Sequence, residues 1–496
     1  MADERLDPKV LKTAGVLVAG VLAVVFDTTI VGVALHSLAA DLHTTVATVQ
    51  WVTTGYLLAL GMTVPLSTWA TARFGGKRVW LFSLAVFLVG SAASGAAWNA
   101  PALIAGRVVQ GVGGGLMLPV MTTLVVRAAG GRLLGRATSI VALPALLGPI
   151  LGPLAGGLIL THLDWRWMFW INIPLGLAGL LLAARFLDRD EPSSRPRLDV
   201  AGFALLAPGI AAVLLGFSRA SDEGFAHDGV LVPLIAGAVL VAGFCRHAVR
   251  RTDALVDLRL FAHRPTSSGS AVLFFSGFAL YGALFLLPLY YQQVRGTSPL
   301  DAGIALIPQG IGTLLSRSLA GGLTDRFGAR IITVVGFLIV GAATLPFAFV
   351  DAHTTTWTLA SWLLLRGIGL GAVTVPVMAV VYLGLAREQV AHASALVRIA
   401  QQIGGSFGTA VLAVLLQHAA TSSDDLAAAF HRAFWWATGF AALAALLALA
   451  LPGRDAAVEA DAGRPALQAS AEGARAGAEP KKESETGSEK STRDRV

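Results

Sequence analysis

From Thr13 to Leu451 the chain reads as long apolar runs separated by short polar segments. A run of about 18–25 apolar residues can cross a ~30 Å hydrocarbon core as an α-helix. Fourteen such runs are present, at 13–36, 48–71, 79–98, 101–125, 137–160, 166–187, 199–218, 229–248, 267–291, 300–320, 330–350, 356–382, 393–417 and 432–451. The pattern predicts an all-α polytopic membrane protein. Composition agrees. Of the residues, 55% are hydrophobic and 14% charged, and mean hydropathy is +0.70. Soluble domains carry about 25% charged residues.

Lysine and arginine placement sets the orientation. With the N-terminus in the cytoplasm, inner segments hold 21 Lys and Arg, and outer segments hold four, Arg166, Arg219, Arg295 and Arg432. This bias predicts cytoplasmic N- and C-termini and an even number of spans. Topology thus explains the net charge of +7, and no nucleic-acid partner is expected. Lys9 and Lys12 precede the first run as they would in a signal peptide. The run is too long and lacks an evident small-residue cleavage site, so a retained first helix is expected. The single cysteine, Cys245, rules out an internal disulfide and a cysteine metal cluster.

The chain repeats internally. Arg73-Phe74-Gly75-Gly76-Lys77-Arg78 returns as Arg326-Phe327-Gly328-Ala329-Arg330 at an offset of 253. Arg107 has Arg366 at an offset of 259, and Gly148 has Gly404 at 256. The expected organisation is an N-terminal six-helix bundle (1–190), two additional central helices with cytoplasmic linkers (191–264) and a C-terminal six-helix bundle (265–452). A tail over 453–496, rich in Ala, Gly, Glu, Lys and Ser, is expected to be disordered. Parallel repeats of this kind suggest a transporter with its site at the repeat interface.

Asp27 is the one carboxylate well inside an apolar run. A lone acid there costs at least ~2.5 kcal/mol even on the lenient insertion scale. Arg107 lies ~9 Å from the outer end of the fourth run and Asp27 ~13 Å from the outer end of the first, at 1.5 Å per residue. At matched depth on facing helices the two offset each other's desolvation. A conformational change that alters their distance or hydration would load and release a proton. Pocket-facing candidates are Trp51, Tyr56, Gln110, Asn172, Phe278, Tyr281, Gln309, Gln401 and Gln402, with Arg366 in a related part in the second half, where no acid answers it. A mainly apolar cavity with few polar anchors suits lipophilic or amphipathic small molecules.

Other stretches carry a family resemblance. Thr68-Trp69-Ala70-Thr71-Ala72-Arg73-Phe74-Gly75 and Gly321-Gly322-Leu323-Thr324-Asp325-Arg326-Phe327-Gly328 resemble the signature loop of the major facilitator superfamily. In the first copy Thr68 stands for the glycine and Ala72 for the aspartate. Arg107-Val108-Val109-Gln110-Gly111 resembles the fourth-helix motif. Gly148-Pro149-Ile150-Leu151-Gly152-Pro153-Leu154-Ala155-Gly156-Gly157 resembles the fifth-helix motif of the family's antiporters. Glycines at that spacing let helices approach closely, and prolines bend them. Asp164-Trp165-Arg166-Trp167 through Gly176, and Phe26-Asp27-Thr28-Thr29-Ile30, resemble the fourteen-span drug:proton antiporters, with Gly32 and His36 in place of asparagine and proline. The resemblance covers residues 10–452 and implies the major facilitator fold.

It implies further that Arg73, Gly75, Asp325, Arg326 and Gly328 gate the cytoplasmic face. Gly148, Gly152, Pro153, Gly156 and Gly157 would form the rocking helix. Asp27 and Arg107 would couple protons. The expected function is proton-coupled export of a drug or hydrophobic metabolite by a monomer in a bacterial inner membrane. A proton symporter, or a receptor that transports nothing, are the alternatives. No Gly-x-x-x-x-Gly-Lys-Ser/Thr loop and no His-Glu-x-x-His occur, so neither ATP hydrolysis at a P-loop nor zinc proteolysis is expected, and the proton gradient stands in for a cofactor.

Overall fold

The computed structural model describes residues 7–453 apart from 32–33, 130–151, 153–154, 189–195, 252–253, 352–353, 386–388 and 422–425. Its regular elements are all helices. The long ones are α1 (Pro8–Ile30), α2 (Val46–Thr63), α3 (Gly76–Gly95), α4 (Ala100–Ala128), α5 (Asn172–Phe186), α6 (Val200–Glu223), α7 (Asp228–Val249), α8 (Arg264–Leu289), α9 (Ile307–Phe327), α10 (Ala329–Thr344), α11 (Thr356–Val381), α12 (Gln389–Thr421) and α13 (Leu426–Ala448). Among the described residues, ten helices are long and apolar enough to cross a membrane. Most of the predicted 137–160 run, with Gly148 and Pro153, and the tail from 454 lie outside the described residues.

Several predicted ends move. The 48–71 run is broken, because α2 stops at Thr63 and a second helix, Leu66–Phe74, starts after Pro65, which lacks the N–H a continuous helix needs. The 300–320 run becomes a short helix, Pro299–Ala305, followed by α9, which continues to Phe327. The 393–417 run lengthens to Gln389–Thr421. Caps mark other starts: Asn99 accepts from the Ala102 N–H at 2.8 Å, and Asp199 from the Gly202 N–H at 2.9 Å.

The two signature loops turn on one backbone device. Gly75 joins Leu66–Phe74 to α3 at φ 83°, ψ 149°, and Gly328 joins α9 to α10 at φ 84°, ψ 151°. Residues with a Cβ avoid this region.

Glycines also set how the halves are built. A Cβ at Gly111 would lie 2.4 Å from the Tyr56 carbonyl of α2, and one at Gly113 2.6 Å from the Ser83 carbonyl of α3. In the second half, Gly367 faces the Gln309 carbonyl of α9 at 2.0 Å, and Gly369 the Gly336 carbonyl of α10 at 2.6 Å. Helix α4 therefore packs on α2 and α3 as α11 packs on α9 and α10. This packing relates α4 to α11 at an offset of 256. Arg366 consequently occupies the register of Gln110, not of Arg107 as matching the arginines alone suggests.

Helix α6 packs on α2 of the first half and α12 of the second, and α7 packs outside α6. The halves also meet where α12 touches α4 and Leu66–Phe74. There the Thr68 hydroxyl donates to the Ala391 carbonyl at 3.3 Å. At the cytoplasmic end of α1, Lys9 lies 2.7 Å from Asp188 after α5, and this hydrogen bond holds the Asp188 carboxyl below the usual carboxylate range. On the outer side Trp165 is buried and donates to Asp41 of the short helix Leu35–Asp41 at 2.6 Å. Trp167, in contrast, is 51% exposed, as an interfacial aromatic residue is.

Candidate functional site

Asp27 and Arg107 meet. Both are 0% exposed, and the Arg107 Nη1 donates to Asp27 Oδ2 in a short ion pair. The other carboxylate oxygen accepts from Gln110 Nε2 at 2.8 Å and Asn172 Nδ2 at 3.0 Å. Asn172 is fixed in turn by Ser91 Oγ at 3.1 Å, whose hydroxyl donates to the Phe169 carbonyl at 2.9 Å. Four elements thus converge on one acid: α1 carries Asp27, α4 Arg107 and Gln110, α5 Asn172, and α3 Ser91.

Arg107 also has partners that do not depend on the acid. Its Nε donates to the Val52 carbonyl at 3.2 Å, and Nη1 to Gln110 Oε1 at 2.8 Å. The guanidinium sits 4.0 Å from the Tyr56 ring centroid and 5.7 Å from that of Phe169. Aromatic faces attract a cation through their quadrupole. Its Nη2 has no hydrogen-bond partner. Neutralising Asp27 would therefore leave the cation held by a carbonyl, an amide and two rings. The site accommodates the charge with Asp27 in either protonation state, which a simple buried ion pair does not.

The second half has an arginine without an acid. Arg366 donates to Thr344 Oγ1 at 3.1 Å, Gln309 Oε1 at 2.8 Å and the Ala279 carbonyl at 2.7 Å. It borders an apolar void of about 390 Å³ with Phe278, Phe347 and Phe434.

A larger cavity, about 800 Å³, lies between α4 of the first half and α8, α9, α11 and α12 of the second. Of the pocket-facing residues expected from the sequence, Gln401 lines it. Tyr56, Gln110 and Asn172 belong to the Asp27 network, and Gln309 to Arg366. Trp51 is 38% exposed, and Tyr281 and Gln402 are half-buried on α8 and α12. Two lining residues, Arg317 and Arg398, were missed. The sequence-drawn spans ended near both, at 320 and 393, so each read as a residue of the membrane surface. The lengthened helices place Arg317 ten residues from either end of α9 and Arg398 nine from the start of α12. That is about 14–15 Å along the helix axis.

The residues expected to gate are divided. Gly75 and Gly328 are buried and conformationally required, and Arg73 and Arg326 are exposed at the helix ends. Gly152 and Gly156 are buried and Gly157 half-buried. The side chain of Asp325 lies outside the described set.

An arginine-held membrane acid within two glycine-packed halves has clear relatives. The sequence profile of the Major Facilitator Superfamily matches residues 17–409 and 269–483. This chain belongs to the major facilitator superfamily. It is 39% identical over 430 residues to a Multidrug resistance protein B homolog of Mycobacterium tuberculosis, covering 86% of this chain and 80% of the relative. It is 33% identical over 402 residues to the Tetracenomycin C resistance and export protein of Streptomyces glaucescens, covering 80% and 74%. The lincomycin resistance protein LmrB of Listeria monocytogenes is 29% identical over 403 residues, covering 81% and 85%. The proton:xylose symporter XylE has the same fold at TM-score 0.61 and 16% identity, covering 89% of this chain and 95% of its own. The protein is a multi-pass major facilitator transporter, not an enzyme, related to drug-resistance and antibiotic-export proteins.

Proposed function

We propose that this major facilitator protein exports amphipathic small molecules in exchange for protons, by alternating access between its two halves. Asp27 is the proton carrier, and the cavity between α4 and α8–α12 takes the substrate. The observation that carries this is the buried Asp27–Arg107–Gln110–Asn172 network. It holds the one acid the sequence places deep in a span, and Arg107 keeps neutral partners when that acid is protonated. The drug-resistance relatives favour export over import.

In this reading the chain crosses a bacterial inner membrane fourteen times with both ends in the cytoplasm and works as a monomer. The six-helix bundles are 1–190 and 265–452, α6 and α7 fill the segment between them, and the tail is dispensable. Protonation of Asp27 removes the ionic part of its bond to Arg107 and loosens α1 from α4. The halves then reorient, and substrate binding on the cytoplasmic side favours proton release.

Everted vesicles test the direction. Added substrate is expected to dissipate a preformed acid-inside gradient. A panel of substrates that confers resistance yet moves no protons would overturn antiport, and accumulation in intact cells driven by an inward gradient would favour symport.

A further inference from the structure

Arg317 and Arg398 take no part in the Asp27 network, yet both line the central cavity. We propose that this cavity selects acidic amphipathic substrates, with a carboxylate, sulfonate or similar anion held by Arg317 and Arg398 on an otherwise apolar body. The proposal deepens the export reading and rests on it only for the direction of travel.

The cavity's volume, about 800 Å³, falls in the range that encloses a drug-sized molecule. Its apolar wall includes Leu118, Leu370 and Met378, and its neutral polar groups include Tyr382 and Gln401. Among the described residues that line it, none is Asp or Glu. Cations deep in a membrane are costly to desolvate, and two facing one cavity also repel each other. An anion between them relieves both penalties. A neutral ligand relieves neither, and a cationic ligand adds to them.

Local geometry fits that role. Arg398 Nη1 donates to Gln401 Oε1 at 3.2 Å, which orients the side chain without neutralising it. Its Nε is buried with no hydrogen-bond partner in the protein. A guanidinium with free donors is suited to fork onto a carboxylate or sulfonate. Arg366 differs, since Thr344, Gln309 and the Ala279 carbonyl already accept from it.

The test compares two probes on one ring system: 8-anilino-1-naphthalenesulfonate, an anion, and N-phenyl-1-naphthylamine, its uncharged parent. Binding to the full-length protein in phosphatidylcholine nanodiscs is measured with empty nanodiscs subtracted. The sulfonate is expected to bind at least tenfold tighter. Arg317→Gln and Arg398→Gln should each weaken it about tenfold and leave the uncharged probe unchanged. If the glutamine variants lose both probes, Arg317→Lys and Arg398→Lys decide. Retained preference for the sulfonate supports the proposal, and lost preference overturns it. Equal or tighter binding of the uncharged probe, or sulfonate binding indifferent to the glutamine changes, also overturns it. The two readings fail separately in everted vesicles. Sulfonate bound at the arginines without proton movement leaves the anion site and removes antiport. Proton movement with the uncharged probe alone leaves antiport and removes the anion site.

Discussion

Gly111→Ala probes the packing that brings Arg107 to Asp27. The new Cβ would sit 2.4 Å from the Tyr56 carbonyl oxygen and 2.9 Å from Ala59 Cβ. Carbon contacts are comfortable at about 3.5 Å or more, so α2 must retreat by about 1 Å. Such overpacking costs about 1–3 kcal/mol. The same shift stretches the Arg107 Nε to Val52 carbonyl bond, already 3.2 Å, beyond hydrogen-bonding range. It also draws the Tyr56 ring off the guanidinium. Gly439→Ala on α13 is the matched control, since nothing lies within 4 Å of its Cβ. Both changes gain the same helix propensity, about 1 kcal/mol, so it cancels in the comparison. Thermal unfolding of the purified proteins in one detergent and substrate-driven proton flux in everted vesicles are the readouts. The Gly439 variant should melt at or above wild type and pump normally. The Gly111 variant should melt several degrees lower and pump at least tenfold more slowly. If it behaves like the Gly439 variant, close packing of α4 on α2 does not hold the site together.

Three further outcomes follow from the same geometry. Thr68→Val removes the one hydroxyl bond described between Leu66–Phe74 and α12, worth about 1 kcal/mol. Labelling of a cysteine introduced on the cytoplasmic side should shift about fivefold toward the cytoplasm-open state. Gly75→Ala forces a Cβ into the φ 83° conformation at about 1–3 kcal/mol, and should lower both melting temperature and transport. Exchange of a monoanion for one proton moves two charges, so 100 mV, about 2.3 kcal/mol per charge, supports about 2,500-fold accumulation against about 50-fold for a neutral substrate. Clamping the potential with valinomycin and potassium at fixed pH separates the two.

Much of this was legible before the structure. Run lengths and the arginine bias anticipated the helices, because burial in lipid leaves a backbone few other choices. The Asp27–Arg107 contact followed from depth alone, since each residue advances a helix by a fixed rise. Asn172 was read as a pocket residue, although it holds Asp27 through a hydrogen bond that 145 intervening residues conceal. Ser91 was missed for the same reason. The register of Arg366 with Gln110 was hidden because arginine is more conspicuous than the glycines that set the packing. Arg317 and Arg398 were hidden by helix ends, which hydropathy places poorly when polar residues line an internal cavity. The signal was there, since a basic residue inside a span invites the question that Asp27 raised.

Direct proton counting tests the central claim. A compound shown to be transported is added to purified, weakly buffered protein near the pH of half-maximal exchange, and the protons released on binding are measured. If Asp27 carries the proton, wild type releases a substantial fraction of one proton per molecule, and Asp27→Asn binds the compound and releases none. Equal release from both proteins would contradict the account.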